Sequence, residues 1–346
     1  MRKTELSSRK RAVLATIVKA YIESGEPIGS KILTELISNA PSSATLRNEM
    51  NELCALGLLC QPHTSAGRIP TNLGYKLYVN SLMEPVDVLD STKNYIATFL
   101  SPATAQQQNL PSLAADALSS LTGFCAFSYF KTEKDAFAKD IEILPLSKRS
   151  VVLLLVTSDG HAISRICNLK SALSEGLLLK FNEIIDKALK KKKLNTFNRA
   201  ALQNIVTECG IDFFEFTPLL TELFDMAYTA AKSQFNLCGS MKLYNTSTID
   251  EVRALKSLTE NPEQFINVLE SEKGADEIIF GTDTGIKALS NKVLIVKDYL
   301  LNGRPCGKIG IIGPKRMFYE QIIPSIEYTA NVLGDKLTSA QKDMED

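Results

Sequence analysis

Apolar residues recur at helical spacing through the first 83 positions. Val13, Leu14, Ile17, Val18, Tyr21 and Ile22 mark a helix that Ser7 or Ser8 opens and Ser24-Gly25 closes. Ser30 opens a shorter helix carrying Ile32, Leu33, Leu36 and Ile37, and Asn39-Ala40-Pro41 breaks the chain after it. Leu46, Met50, Leu53 and Gly57 then share one stripe, so residues 43 to 56 read as a third helix capped by Ser42 or Ser43. Its opposite face, Ala44, Thr45, Arg47, Asn48, Asn51 and Glu52, is small and polar, and nothing bulky there blocks entry into a groove.

The pattern then changes. Leu58-Leu59-Cys60 and Ile69-Pro70 bracket a tight loop, Gln61 to Arg68, in which Pro62 and Pro70 limit strand pairing and Gly67 is expected to supply a positive φ. Thr71-Asn72 starts a fourth helix through Leu73, Tyr75, Leu77, Tyr78 and Leu82. Helix, turn, helix, then strand, loop, strand is the order of a winged helix-turn-helix, whose second paired helix lies in a DNA major groove.

Beyond Pro85, helices are expected near 88–100 and 110–121, flanking a polar stretch with glutamines at 106 to 108. Strands follow at 124–130, 141–146, 151–157 and 162–169, the last two joined at Ser158-Asp159-Gly160-His161, a hairpin cue. Helices at 174–192, 198–209 and 218–234 complete an α+β block. After Gly239 come a short strand at 241–244, helices at 249–258 and 262–272, strands at 277–280, 293–300 and 307–312, and a helix at 317–337. Strand 124–130 meets no partner until the late strands arrive, which points to an insertion over 139–237. The fold class is thus α+β and multidomain: 1–85 winged helix-turn-helix, 86–109 helical linker, 110–138 with 238–338 one domain, 139–237 inserted in it, 339–346 a tail.

Charge sharpens this division. The 346 residues carry no formal net charge, yet residues 1 to 83 hold ten Lys or Arg against six Glu, so a basic head sits on a mildly acidic remainder. The cluster Arg9-Lys10-Arg11 is either a solvated face or a phosphate contact. Seven cysteines without a C-x-x-C pair suit reduced thiols in a cytoplasmic protein, and no apolar run approaches a membrane span.

The run QPHTSAGRIPT followed by GY, at Gln61 to Thr71 and Gly74-Tyr75, and SSATLRNEM at Ser42 to Met50 resemble the heat-inducible transcription repressor family, HrcA. Gly-Pro-Lys-Arg-Met at 313 to 317 also resembles that family. Leu46, Cys54, Cys60 and Asn72-Leu73 depart from its pattern without touching a candidate DNA contact. The resemblance implies a GAF-like domain at 110–138 and 238–338, with 139–237 as the inserted dimerisation domain. It also implies a homodimer on an inverted-repeat operator of chaperonin and heat-shock genes, and the GroEL chaperonin as the partner that keeps the repressor active.

The candidate DNA-binding residues are Ser42, Ser43, Thr45, Arg47, Asn48 and Asn51 on the third helix, with His63, Thr64, Ser65 and Arg68 in the loop. His63 stands apart from any Cys, His or carboxylate at ligand spacing, so a metal role is not expected. No catalytic motif stands out, and His161 falls in a hairpin turn, so the chain is expected to be no enzyme and to need no cofactor. Gly281-Thr282-Asp283-Thr284-Gly285 reads as a plain turn ahead of an anion-binding loop, Gly307, Gly310 and Gly313 as packing glycines, and Lys190 to Lys193 as a solvated helix end. The alternative function is a winged-helix regulator controlled by a small ligand in the GAF-like domain.

Overall fold

The computed structural model describes residues 6–64, 66–84, 86–101, 110–132, 135–158, 162–169, 171–172, 174–244, 262–271 and 276–343. The Ser7 hydroxyl accepts from the Lys10 N–H and opens α1 (Ser8–Ser24), which buries Val13, Leu14, Ile17, Val18 and Ile22 and leaves Tyr21 half-buried. Gly29, not Ser30, caps α2 (Ser30–Leu36). Of its four expected apolar positions only Leu33 is buried, because two helical turns offer little more than one residue to the neighbouring helix; Ile32 and Leu36 are exposed. Ser42 caps α3 (Ser43–Ala55), accepting from the Thr45 N–H at 3.2 Å, and Leu46, Met50 and Leu53 go into the core as their spacing requires. Gly57 leaves the stripe: it lies beyond the helix end, exposed, in a turn with φ of 73°.

β1 (Leu59–Cys60) and β2 (Ile69–Pro70) pair antiparallel, Leu59 opposite Pro70 and Cys60 opposite Ile69. Ile28 extends this small sheet through two backbone hydrogen bonds with Arg68, at 2.8 and 3.0 Å. The role expected of Gly67 is corrected here. It is not among the positive-φ glycines; a Cβ at Gly67 would lie 2.4 Å from the Ile28 carbonyl, so close approach of two backbones is what requires glycine. Thr71 caps α4 (Asn72–Leu77), which continues as a π-helical turn over Tyr78–Leu82.

Next come α5 (Asp90–Phe99), α6 (Leu110–Thr122) and β3 (Cys125–Phe130), all six residues of which are buried. The glutamines at 106 to 108 lie outside the described residues. β4 (Ala138–Ser147), β5 (Ser150–Thr157) and β6 (Ala162–Asn168) form a separate antiparallel sheet, with β5 in the middle. Val151, Leu153 and Leu155 face a core shared with α7 (Glu175–Leu189), α8 (Arg199–Cys209) and α9 (Phe213–Ala230). The turn expected at Asp159-Gly160-His161 lies outside the described residues, though β5 and β6 pair as far as Val156 opposite Ala162.

Two expectations fail around residue 240. The short strand is β7 (Gln234–Cys238), not 241–244, and Met241–Tyr244 is instead a single helical turn, α10. Gly239, with φ of 67°, separates them. The helix expected at 218–234 overlaps this strand only at Gln234, and residues 235–238 carry no expected element, since no proline or glycine marks the change from α9. The helix expected at 249–258 lies outside the described residues. α11 (Glu263–Ser271), β8 (Asp276–Phe280), β9 (Lys292–Leu301), β10 (Arg304–Pro314) and α12 (Tyr319–Asp343) complete the chain. The second sheet runs β7-β3-β10-β9-β8, so β3 sits between strands that come more than a hundred residues later. Gly310 is a packing glycine as expected: its Cβ would lie 2.1 Å from the Ile295 carbonyl oxygen.

The chain divides into two compact units, 1–128 with 236–299 and 308–333, and 129–235 with 300–307 and 334–346. The winged helix and most of the five-stranded sheet thus share one unit, and the contacts between them are extensive. Tyr75 is buried against Phe280 and Tyr319, ring centroids 6.3 and 5.8 Å away. Lys76 pairs with Asp283 at 2.9 Å, Asn72 donates to the Thr282 hydroxyl at 3.1 Å, and Lys19 meets Glu320 at 3.1 Å, which also accepts from the buried Tyr78 phenol. The 281–285 segment is therefore a turn, and it holds α4.

Lys76 holds the Asp283 carboxyl below its usual range against a smaller opposing effect of burial. For Glu320 burial raises the carboxyl, but the hydrogen bonds from Tyr78 and Lys19 outweigh it and the net shift is downward. Folded-state values below the unfolded ones mean that these contacts stabilise fully above the ordinary values of 3.8 and 4.5 and fade as pH falls through the lowered ones. Wild type should therefore lose melting temperature below about pH 4.5 more steeply than the Asp283→Asn/Glu320→Gln variant. Equal acid slopes in a thermal melt from about pH 3 to pH 6 would count against these pairs.

All seven cysteines are free, four of them buried. Burial pushes the Cys125 and Cys238 thiols up to about 12, whereas Cys60 is exposed on the wing. A thiol reagent at neutral pH is expected to label Cys60 first and to leave Cys125 and Cys238 unlabelled until the chain unfolds, as peptide mapping would show.

Candidate nucleic-acid interface

The exposed face of α3 presents Arg47 and Asn48, and neither has a hydrogen bond or ion pair among the described residues. One helical turn on, Asn51 accepts from the Arg68 Nη2 at 2.8 Å. The wing and α3 are thereby joined at two of the expected contact residues. Since a guanidinium can only donate, the amide oxygen of Asn51 faces Arg68 and its NH2 remains available to a base acceptor. Arg68 is half-buried and its Nε finds no partner among the described residues, while its Nη2 is held by Asn51.

The hydroxyls expected at the start of α3 are already engaged. Ser42 caps the helix and meets the Thr45 hydroxyl at 3.0 Å, while Ser43 bonds the Ser30 hydroxyl of α2 at 2.9 Å. The Ser43–Ser30 bond ties the start of α3 to the start of α2, and a hydroxyl can still offer a second bond to a phosphate. His63 and Thr64 stand exposed at the loop tip, and Ser65 lies outside the described residues. The loop is stitched by Gln61, whose Nε2 donates to the carbonyls of Thr64 and Ala66, both at 2.9 Å.

Two of the three residues in the Arg9-Lys10-Arg11 cluster are committed elsewhere. Arg9 pairs with Glu49 at 2.6 Å and Lys10 with Glu52 at 2.6 Å, both carboxylates belonging to α3. Glu49 is 5 % exposed, and its Oε2 has no donor among the described residues. A buried carboxylate costs several kcal/mol unless paired, in order-of-magnitude terms, so Arg9 stabilises α3 in its seat. The signal was present in the sequence: Glu49 lies three residues after Leu46 and four before Leu53, on the buried stripe. Arg11 and Lys31 remain exposed and unpaired among the described residues, and Lys31 adjoins Ser30 beside the start of α3.

No group of three or more His, Cys, Asp or Glu suited to a metal ion occurs among the described residues, and no described helix is long and apolar enough to cross a membrane. The Lys190 to Lys193 run is pinned rather than merely solvated: Lys190 pairs with Asp140 and Lys193 with Asp135, each at 2.6 Å.

Comparison with known proteins identifies the family. The family model described as winged helix-turn-helix transcription repressor, HrcA DNA-binding, matches residues 5–83, and that of the HrcA protein C-terminal domain matches residues 109–323. The heat-inducible transcription repressor HrcA of Lactobacillus acidophilus is 31% identical over 342 residues, spanning 96% of this chain and 97% of its own. That of Brevibacillus brevis is 29% identical over 337 residues, spanning 96% and 98%. A crystal structure of a hypothetical protein shares the fold, with a TM-score of 0.71 at 22% identity over 97% of this chain and all of its own. An α+β, multidomain chain with a wing hydrogen-bonded to an exposed polar helix, matched along nearly its whole length, belongs to the HrcA family of transcription repressors and is not an enzyme.

Proposed function

We propose that this chain represses heat-shock operons, those of the chaperonin and related genes, by binding an inverted-repeat operator as a homodimer. α3 enters the major groove with Arg47, Asn48 and Asn51 at base edges, while His63, Thr64, Ser65 and Arg68 of the wing meet backbone or minor groove. Ser42, Ser43 and Thr45 contact phosphate at the start of α3. The observation that carries this reading is the Arg68–Asn51 hydrogen bond, which makes wing and helix one surface. Two-fold symmetry then matches a palindromic site.

The inserted block 139–237 is the proposed dimerisation domain, and 110–138 with 238–338 the GAF-like one. A cross-strand row on the outer face of the three-stranded sheet supports a self-associating surface: Leu144 opposite Val152, itself opposite Ile166, with Leu144 and Ile166 49% and 62% exposed. GroEL keeps the repressor active, so unfolded clients that occupy the chaperonin relieve repression. A footprint on the chain's own chaperonin promoter, with and without GroEL, tests all of this. Two symmetric protected half-sites, strengthened by GroEL, are expected; no protection over scrambled DNA at physiological salt would sink the proposal.

A small-ligand reading has one observation in its favour. A cleft of about 550 Å³ in the first unit, with Ile22, Met317, Phe318 and Ile322 beside Arg316, falls within the size range of small-molecule sites. A saturable thermal shift with a metabolite that also changes operator affinity would favour it.

A further inference from the structure

The winged helix could be tethered loosely or held fast, and the contacts made by α4 and its π-helical turn decide between the two. Tyr75 and Tyr78, 2% and 1% exposed, have their rings in the seam rather than in the module's own core alone. Tyr75 fills the space between Phe280 at the end of β8 and Tyr319 at the start of α12. Three polar contacts accompany these rings, two on the 281–285 turn and one on α12: Asn72 to Thr282, Lys76 to Asp283, and Tyr78 with Lys19 on Glu320. A fourth contact lies at the C-terminal end of α1, where a Cβ on Gly25 would fall 1.7 Å from the Arg316 Nη1, so that guanidinium packs on the glycine that ends the helix. Contacts on α1, α4 and the π-turn at once leave no axis about which the module can turn.

We infer that Asp283, Glu320 and Arg316 are positioning residues for DNA recognition: they hold the winged helix rigidly on the five-stranded sheet and so set the distance and rotation between the two reading heads of a dimer. This rests on the two-headed operator reading proposed above. Linking two binding modules raises apparent affinity only where the link lets both engage together, and a stiff link restricts that to one geometry. Half-sites on one face of the duplex recur every 10–10.5 base pairs, roughly, so a rigid pair of heads senses the spacer within a single turn.

Glu320 is the point at which the seam opens. Without that acceptor the buried Tyr78 hydroxyl is stranded, and only exposure to water satisfies it. The experiment measures affinity of the full-length protein for its footprinted operator, for spacers altered by one to ten base pairs, and for an isolated half-site. Wild type should lose more than about tenfold in affinity at a half-turn change and regain part of it at a full turn. The Asp283→Ala/Glu320→Ala variant should bind the isolated half-site as wild type does, yet vary less than about threefold across spacers. The charge swap Lys76→Asp/Asp283→Lys, which keeps the net charge and the pairing, should retain the steep profile. A double-alanine variant with an unchanged steep profile overturns the inference alone. One that binds more tightly at every spacer also overturns it, since the seam would then restrain the heads rather than place them. A wild-type profile flat in spacing overturns the two-headed reading and the inference with it.

Discussion

Arg47→Ala should weaken binding to the specific operator by about 1–3 kcal/mol, roughly 5- to 150-fold in Kd, while leaving scrambled DNA nearly unaffected. The reason is position. Arg47 is exposed on α3 with no partner among the described residues, so in the proposed complex its guanidinium would enter the groove without breaking a described bond. Arg68→Ala should behave differently, weakening specific and scrambled DNA alike and lowering the salt slope by about one, as for loss of a phosphate contact. Arg68 also holds Asn51, so the two substitutions Arg68→Ala and Asn51→Ala should fall short of additive, while Arg47→Ala and Arg68→Ala should add. Fluorescence anisotropy at several salt concentrations separates these cases. If Arg47→Ala lowers both kinds of DNA equally, the assignment of α3 to base reading is wrong.

The second large effect concerns a residue that touches no DNA. Gly74 lies inside α4, where alanine would ordinarily gain about 1 kcal/mol of helix propensity. A Cβ there would sit 2.2 Å from the Leu58 carbonyl oxygen, and neither partner is a side chain that can rotate away. Overpacking of this kind costs about 1–3 kcal/mol, and more against rigid backbone, so the clash wins. The same carbonyl accepts from the Thr71 N–H at 3.1 Å and from its hydroxyl at 3.1 Å, so displacing it also loosens the cap of α4. Gly74→Ala is expected to lower the melting transition of the winged-helix module by at least about 5 °C and to abolish specific binding at 37 °C. A variant that melts and binds like wild type would show that α4 can retreat from β1 freely.

The DNA-reading module was legible because its determinants are local. Helical stripes, serine caps and the proline-bounded loop each lie within a dozen residues of their partners, and α1, α3 and the wing appear within a residue or two of their expected bounds. Errors arose where local signals compete. Pro218 suggests a helix start, since proline is favoured in a first turn, yet the helix starts at Phe213 and Pro218 stands inside it. Gln234–Cys238 alternates like a strand but directly follows a long helix with no breaker. The seam that seats the winged helix was hidden for another reason. Tyr75 and Phe280 are some two hundred positions apart, and neither end carries a pattern that names the other. The basic cluster at the start of α1 left two readings open, and the acidic residues that neutralise most of it lie forty positions on, inside what looked like a DNA-facing helix.

The central strand of the larger sheet has a consequence for how each new chain matures. β3 leaves the ribosome early, fully buried once folded, and one side of it is first covered at 234–238. The other side waits until residue 304 is made, roughly 9–35 s later at about 5–20 residues per second. During that interval the local contacts of the winged helix can already form, while Phe280, Asp283 and Glu320, which seat it, are not yet all in place and the sheet still exposes an unpaired edge. Until residue 304 is made, the sheet that seats the winged helix keeps one side of its central strand unpaired, an edge open to pairing with another chain.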